Sequence, residues 1–133
     1  MGTVLKHYFL TFVIFMGIDM VWLGVISKKL YADKLGYLMA SKVNWVAAII
    51  FYLLFIIGLL FFVLYPALQK GSWTYALLAG LFFGLVTYAT YDLTNLATIK
   101  DWPLLITIID LIWGSFISGT TSVLAYLFIT KFF

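Results

Sequence analysis

"VNWVAAIIFYLLFIIGLLFFVLYP", residues Val43–Pro66, contains no charged side chain. An α-helix rises about 1.5 Å per residue and the hydrocarbon core of a bilayer is about 30 Å thick, so about 20 apolar residues suffice to cross it. The run is long enough, and it reads as a transmembrane helix over about 43–65. Pro66 is expected to close it, because proline lacks the N–H that would continue the helix.

Outward from this segment, three further runs of similar character lie at about 8–27, 74–97 and 103–130. "QKGSW" (69–73) supplies a tight turn between the second and third runs. "KDWP" (100–103) opens the fourth, where Asp101 is expected to accept from free backbone N–H groups and Pro103 is tolerated in the first turn. The first run is followed by "SKKLYADK" rather than a small-residue cleavage site, so it reads as a permanent anchor. The expectation is an all-α integral membrane protein: a single domain over 1–133, folded as an antiparallel four-transmembrane-helix bundle.

Composition agrees with lipid as the solvent. The chain is 65% hydrophobic and 10% charged, with a mean hydropathy of +1.14. Ordinary globular proteins are about 45–50% apolar and about 25% charged. Arginine, glutamate and cysteine are absent, which removes disulfides and thiolate chemistry. The eight lysines are scattered rather than gathered in a stripe, so nucleic acid is not an expected partner. Lys28, Lys29, Lys34, Lys42 and Lys100 fall on one side of the expected membrane and Lys6, Lys70 and Lys131 on the other. The positive-inside rule then favours cytoplasmic connections at 28–42 and 98–102, by a margin that leaves dual topology open.

Against this background the carboxylates stand out. Asp19, Asp92 and Asp110 lie inside apolar runs, at roughly 12, 8 and 10 Å from the span ends nearest those two connections. Antiparallel spans place all three in one leaflet, whichever way the bundle faces. Asn44 and Asn95 lie at the same side. Tyr88, Asp92 and Asn95 are spaced i, i+4 and i+7, on one helix face, and Tyr91 adjoins the acid. Thr107, Asp110, Gly114, Ser118 and Thr121 form a second polar and small stripe. Trp22 and Trp113 each follow an acid by one turn. Hydrogen bonds between spans commonly serve only as helix glue, averaging roughly 0.6 kcal/mol. An intramembrane aspartate costs more, about 2.5–3.5 kcal/mol at a helix centre, and that makes it a functional-site hypothesis. Gly80-x-x-x-Gly84 reads as close helix packing, and His7 as a lone interfacial imidazole with no metal role.

"GIDMVWLGVISKKLYADKLG" (17–36), "PALQKGSW" (66–73), "YATYDLTNLATIKDWP" (88–103) and "DLIWG" (110–114) resemble the bacterial membrane proteins of domain-of-unknown-function family 2177. The resemblance covers nearly the whole chain and is most specific over Tyr91–Pro103. It implies a small four-span protein of the bacterial inner membrane, with no activity, cofactor or ligand to carry over. The family's motifs fall at Asp19, Trp22, Asp92, Asn95, Asp101, Trp102, Pro103, Asp110 and Trp113.

The candidate ligand-binding residues are therefore Asp19, Trp22, Asn44, Tyr88, Tyr91, Asp92, Asn95, Asp110 and Trp113. Carboxylates beside aromatic faces suit a small cationic or amphipathic molecule, bound or transported with the aspartates exchanging protons. Transport would call for a homodimer, since four helices barely enclose a path. A membrane enzyme acting on a lipid or isoprenoid-like substrate is the first alternative, with Asp92 and Asp110 as acid and base. A structural or assembly partner without chemistry is the second. Three carboxylates around a hard divalent cation fit the ligand type equally well.

Overall fold

The structure, a computed structural model, describes residues 2–39 and 42–133. It is helical, with no strand among the described residues. Helix α1 (Gly2–Val21) passes through one π-helical stretch, Trp22–Ile26, into α2 (Ser27–Leu35). Helix α3 (Trp45–Leu59) passes through a second, Leu60–Leu64, into α4 (Tyr65–Lys70). Helices α5 (Trp73–Thr98) and α6 (Leu104–Phe132) complete the chain. Four segments are long and apolar enough to cross a membrane: Gly2–Val25, Trp45–Lys70, Trp73–Thr98 and Leu104–Phe132.

Three local expectations give way to the observed backbone. The segment after the first span, expected as a connection over 28–42, stays helical to Leu35. Lysine, leucine and alanine are good helix formers, and no glycine or proline interrupts them before Gly36. Pro66 does not end the second span, which runs on to Lys70. The π-helical stretch before it, closed by the Tyr65 N–H on the Leu60 carbonyl, opens the ladder where the proline ring would crowd the carbonyl one turn back. Asp101 does not cap α6, which begins behind Pro103 with no side-chain cap. Its backbone is left-handed (φ 62°), a conformation that aspartate tolerates, and its carbonyl accepts the Tyr37 hydroxyl at 2.5 Å.

Other ends follow familiar capping rules. Asn44 caps α3 by accepting from the Ala47 N–H at 3.1 Å, and Ser72 caps α5 by accepting from the Tyr75 N–H at 3.0 Å. Between α4 and α5, Gly71 is left-handed (φ 60°). Its N–H reaches the Leu68 carbonyl at 3.2 Å and the Ser72 N–H reaches the Ala67 carbonyl at 3.1 Å, a Schellman stop.

Helices α5 and α6 pack most closely. A methyl added at Gly80 would lie 2.8 Å from Ser122 Oγ and 2.9 Å from the Gly119 Cα. At Gly84 it would meet the Gly114 carbonyl and come within 2.6 Å of Ser118 Oγ, and at Gly114 it would enter the Tyr88 ring. Glycines at helical spacing let two backbones touch where lipid supplies no hydrophobic drive between helices. Partners descend along α6 as they ascend along α5. Away from the acids, Phe15, Phe55, Ile56, Leu60, Leu64, Ala76, Ile117 and Ala125 form a compact apolar core. Outside it, Phe61, Phe82 and Ile112 are 65–69% exposed, an apolar surface suited to lipid rather than water.

Candidate functional site

Each helix brings its acid to the interior by a four-residue stripe. On α1 the buried residues are His7, Thr11, Phe15 and Asp19; on α5 they are Ala76, Gly80, Gly84 and Asp92. The polar stripe of α6 is buried throughout at Thr107, Asp110, Gly114, Ser118 and Thr121. On these stripes Phe15 and Ala76 belong to the apolar core. Asp19, Asp92 and Asp110 are 4%, 0% and 8% exposed.

Their partners differ. Asp19 accepts from the Tyr52 hydroxyl of α3 at 2.8 Å and from the Trp113 indole N–H of α6 at 3.4 Å. Asp110 accepts from the Tyr31 hydroxyl of α2. Burial, and then the Asp110 carboxylate beside it, hold the Tyr31 phenol well above the ordinary tyrosine range, so it stays a donor. Asp92 has no donor: neither of its oxygens has a hydrogen-bond partner. The α5–α6 register that sets Gly80 against Ser122, Gly84 against Ser118 and Tyr88 against Gly114 sets Asp92 opposite Asp110.

Asp19 and Asp110 share the wall of a cavity of about 530 Å³. Aromatic faces from five elements supply most of the rest: Trp22, Tyr31, Phe51, Tyr52, Tyr88, Tyr91 and Trp113. Trp22 and Trp113 stack with ring centroids 4.4 Å apart and planes 11° from parallel. The π-helical stretch that begins at Trp22 is closed by Ser27, whose N–H and hydroxyl (2.9 Å) both reach the Trp22 carbonyl. No lysine lies among the described residues of the lining.

Residues 4–127 match the family described as "Predicted membrane protein (DUF2177)". The chain belongs to this family of membrane proteins. The match contains the whole cavity lining and all three intramembrane acids. Neither the curated proteins nor the solved structures contain a match.

Within this family member, seven of the nine candidate residues gather at the acids: Asp19, Trp22, Tyr88, Tyr91, Asp110 and Trp113 on the cavity wall, with Asp92 opposite Asp110 in the α5–α6 register. The two amides do not line the cavity. Asn44 is exposed and spent on capping α3, and half-buried Asn95 sits beside Tyr91. Trp102, one of the family-motif positions, is 8% exposed and donates to Thr107 Oγ1 at 3.0 Å. His7 is likewise buried, 3.0 Å from the Tyr65 hydroxyl. A three-carboxylate metal site is not formed, since no group of three acidic or histidine side chains among the described residues is placed to hold an ion.

Tyr31 and Tyr52, the two phenols that hold the acids, were not among the sequence candidates. Tyr52 carries a signal: it is the single hydrogen-bonding side chain between Val46 and Leu64. Tyr31 carries none, because "SKKLYADKL" reads as a polar connection until packing brings it to a residue 79 positions away.

Proposed function

We propose that the cavity binds a small cationic or amphipathic molecule. The observation that carries this reading is the wall itself: two carboxylates, Asp19 and Asp110, among aromatic faces and without a lysine to neutralise them. A cation over an aromatic face gains about 0.5–1 kcal/mol at exposed sites and about 2 or more when desolvated, and a carboxylate adds the counter-charge. Leu23, Phe51 and Tyr91 line the cavity yet are 40%, 48% and 60% exposed. A mouth of that kind faces lipid rather than bulk water, which suits a ligand with an apolar part already dissolved in the bilayer. In this reading the protein sits in the cell inner membrane and draws its ligand from one leaflet.

Thermal unfolding of the purified protein in lipid nanodiscs tests this, with tetraphenylphosphonium and an alkyltrimethylammonium series as probes. A ligand at about 100 times its Kd stabilises the fold by about 2.7 kcal/mol. The expected result is a rise in Tm for wild type that is lost in Asp19→Asn and Asp110→Asn, each read against its own unliganded Tm. Equal shifts in wild type and both variants, or none in any, would sink the reading.

A further inference from the structure

Asp92 is a buried acid that the cavity does not explain. It is fully buried, lies in a segment that crosses lipid, and neither oxygen is met by a donor. A carboxylate in that position would be an uncompensated charge in a low-dielectric interior, an arrangement proteins avoid by pairing or by taking up a proton. The residue set opposite it by the α5–α6 register, Asp110, is another acid. Two carboxylates offer each other only repulsion, whereas a carboxylic acid and a carboxylate form a strong charge-assisted hydrogen bond.

We propose that Asp92 and Asp110 hold one proton between them, and that a cation entering the cavity expels it, which makes this site a cation–proton exchanger. The geometry assigns the parts. Asp110 is the link: it stands opposite Asp92 in the α5–α6 register, it lines the cavity, and its Oδ1 already accepts from Tyr31. With Tyr31 saturating part of Asp110, the shared proton rests on Asp92, whose oxygens otherwise have nothing to bond. Among the described residues, the titratable groups that share the cavity with Asp110 supply no positive charge. Tyr31 comes from α2, Asp19 from α1, Tyr52 from α3, and Tyr88 and Tyr91 from α5 itself; none is cationic.

Charge balances through the step. Before binding, the pair carries one negative charge and one proton. When a cation takes a place beside Asp110, the O–H bond on Asp92 breaks and the proton leaves to water. The pair then carries two negative charges against the one positive charge of the ligand. The net charge of the buried site is unchanged, so exchange avoids the cost of adding a bare charge to the membrane interior.

The shared proton stands without any ligand; its expulsion rests on the cavity being a cation site. Infrared spectra of the nanodisc protein separate the two. At neutral pH, without ligand, wild type should show the carbonyl band of a protonated carboxyl that shifts in D2O. Asp92→Asn should lack it, Asp110→Asn should shift it by removing the carboxylate that accepts the proton, and Asp19→Asn should keep it. A wild-type spectrum without the band overturns the proposal, and this arm needs no variant to fold. Saturating tetraphenylphosphonium should then abolish the band and release about one proton per cation into weakly buffered solution. Binding that leaves the band intact overturns the exchange while the cavity reading survives. No binding at all removes the cavity reading and the exchange together, with the proton pair still established by its band.

Discussion

Trp113 joins two of the acids: its indole N–H reaches Asp19 at 3.4 Å, and it sits one turn beyond Asp110 on α6. Its ring also stacks on Trp22 at 4.4 Å, and Trp22 follows Asp19 by three residues on the other helix. The two Asp-x-x-Trp segments therefore interlock, each tryptophan covering the acid–aromatic unit of the other. Substitution of Trp113 by Phe keeps most of the stacked ring and removes the N–H. The expected loss is modest, about 0.6 kcal/mol, the average for a hydrogen bond between spans. In a double-mutant cycle with Asp19→Asn the losses should fall short of additive, read from unfolding midpoints in detergent. Strict additivity would mean that the 3.4 Å contact carries no energy.

The interface of α5 and α6 makes a sharper demand. At Gly84 an added methyl meets the backbone of Gly114, which cannot swing aside as a side chain tip can. Gly84→Ala should cost about 1–3 kcal/mol, the range for overpacking, and Gly114→Ala should cost a comparable amount by displacing the Tyr88 ring. Gly17, also helical, has nothing within 4 Å of the same position. Gly17→Ala should be neutral or stabilise by about 0.5–1 kcal/mol through helix propensity alone. Thermal denaturation of the three variants side by side gives the ordering. An equal response at Gly17 and Gly84 would mean that the close approach is not present in the membrane.

Tyr31 gives the fold an alkaline limit. Its phenol is held above the ordinary range by burial and by Asp110, so the unfolded chain loses that proton first, near pH 10. The stability that rests on the protonated phenol is full below that pH and is lost progressively above it, because the folded state then binds more protons than the unfolded one. Tyr31→Phe should lower stability at neutral pH by removing the Asp110 donor, and should flatten the fall on the alkaline side by one group. Denaturant midpoints at pH 8 and above test both signs. An alkaline slope identical to wild type would show that Tyr31 is not buried against Asp110.

Much of this arrangement is legible in the sequence because lipid imposes simple rules. Each apolar run must be a helix, and a carboxylate within it must turn inward, so the spacing of Tyr88 and Asp92, or of Asp110, Gly114 and Ser118, identifies interior faces directly. Local competition is harder to read. Pro66 lies mid-helix because a π-helical stretch precedes it, and Asp101 adopts a left-handed turn in place of a cap. Asn44 looks like a pocket amide and serves as an N-cap instead. Tyr31 depends wholly on tertiary packing, since nothing in a lysine-rich stretch tells a helix that reaches Asp110 from a solvated connection.

The five tryptophans offer a built-in readout of where a ligand sits. Trp22 and Trp113 line the cavity. Trp45 and Trp73 are 67% and 53% exposed, and Trp102 is buried against Thr107. A cation entering the cavity should quench or shift the emission of the stacked Trp22–Trp113 pair and leave the other three unaltered. Spin-labelled lipid should do the reverse, quenching Trp45 and Trp73 first. In Trp22→Phe/Trp113→Phe the cation response of tetraphenylphosphonium should vanish while lipid quenching persists. The residual binding, followed by equilibrium dialysis, then reports what the carboxylates contribute once the indole faces are gone. A cation response that survives in this double variant would place the ligand on the outer surface of the bundle and not between the acids.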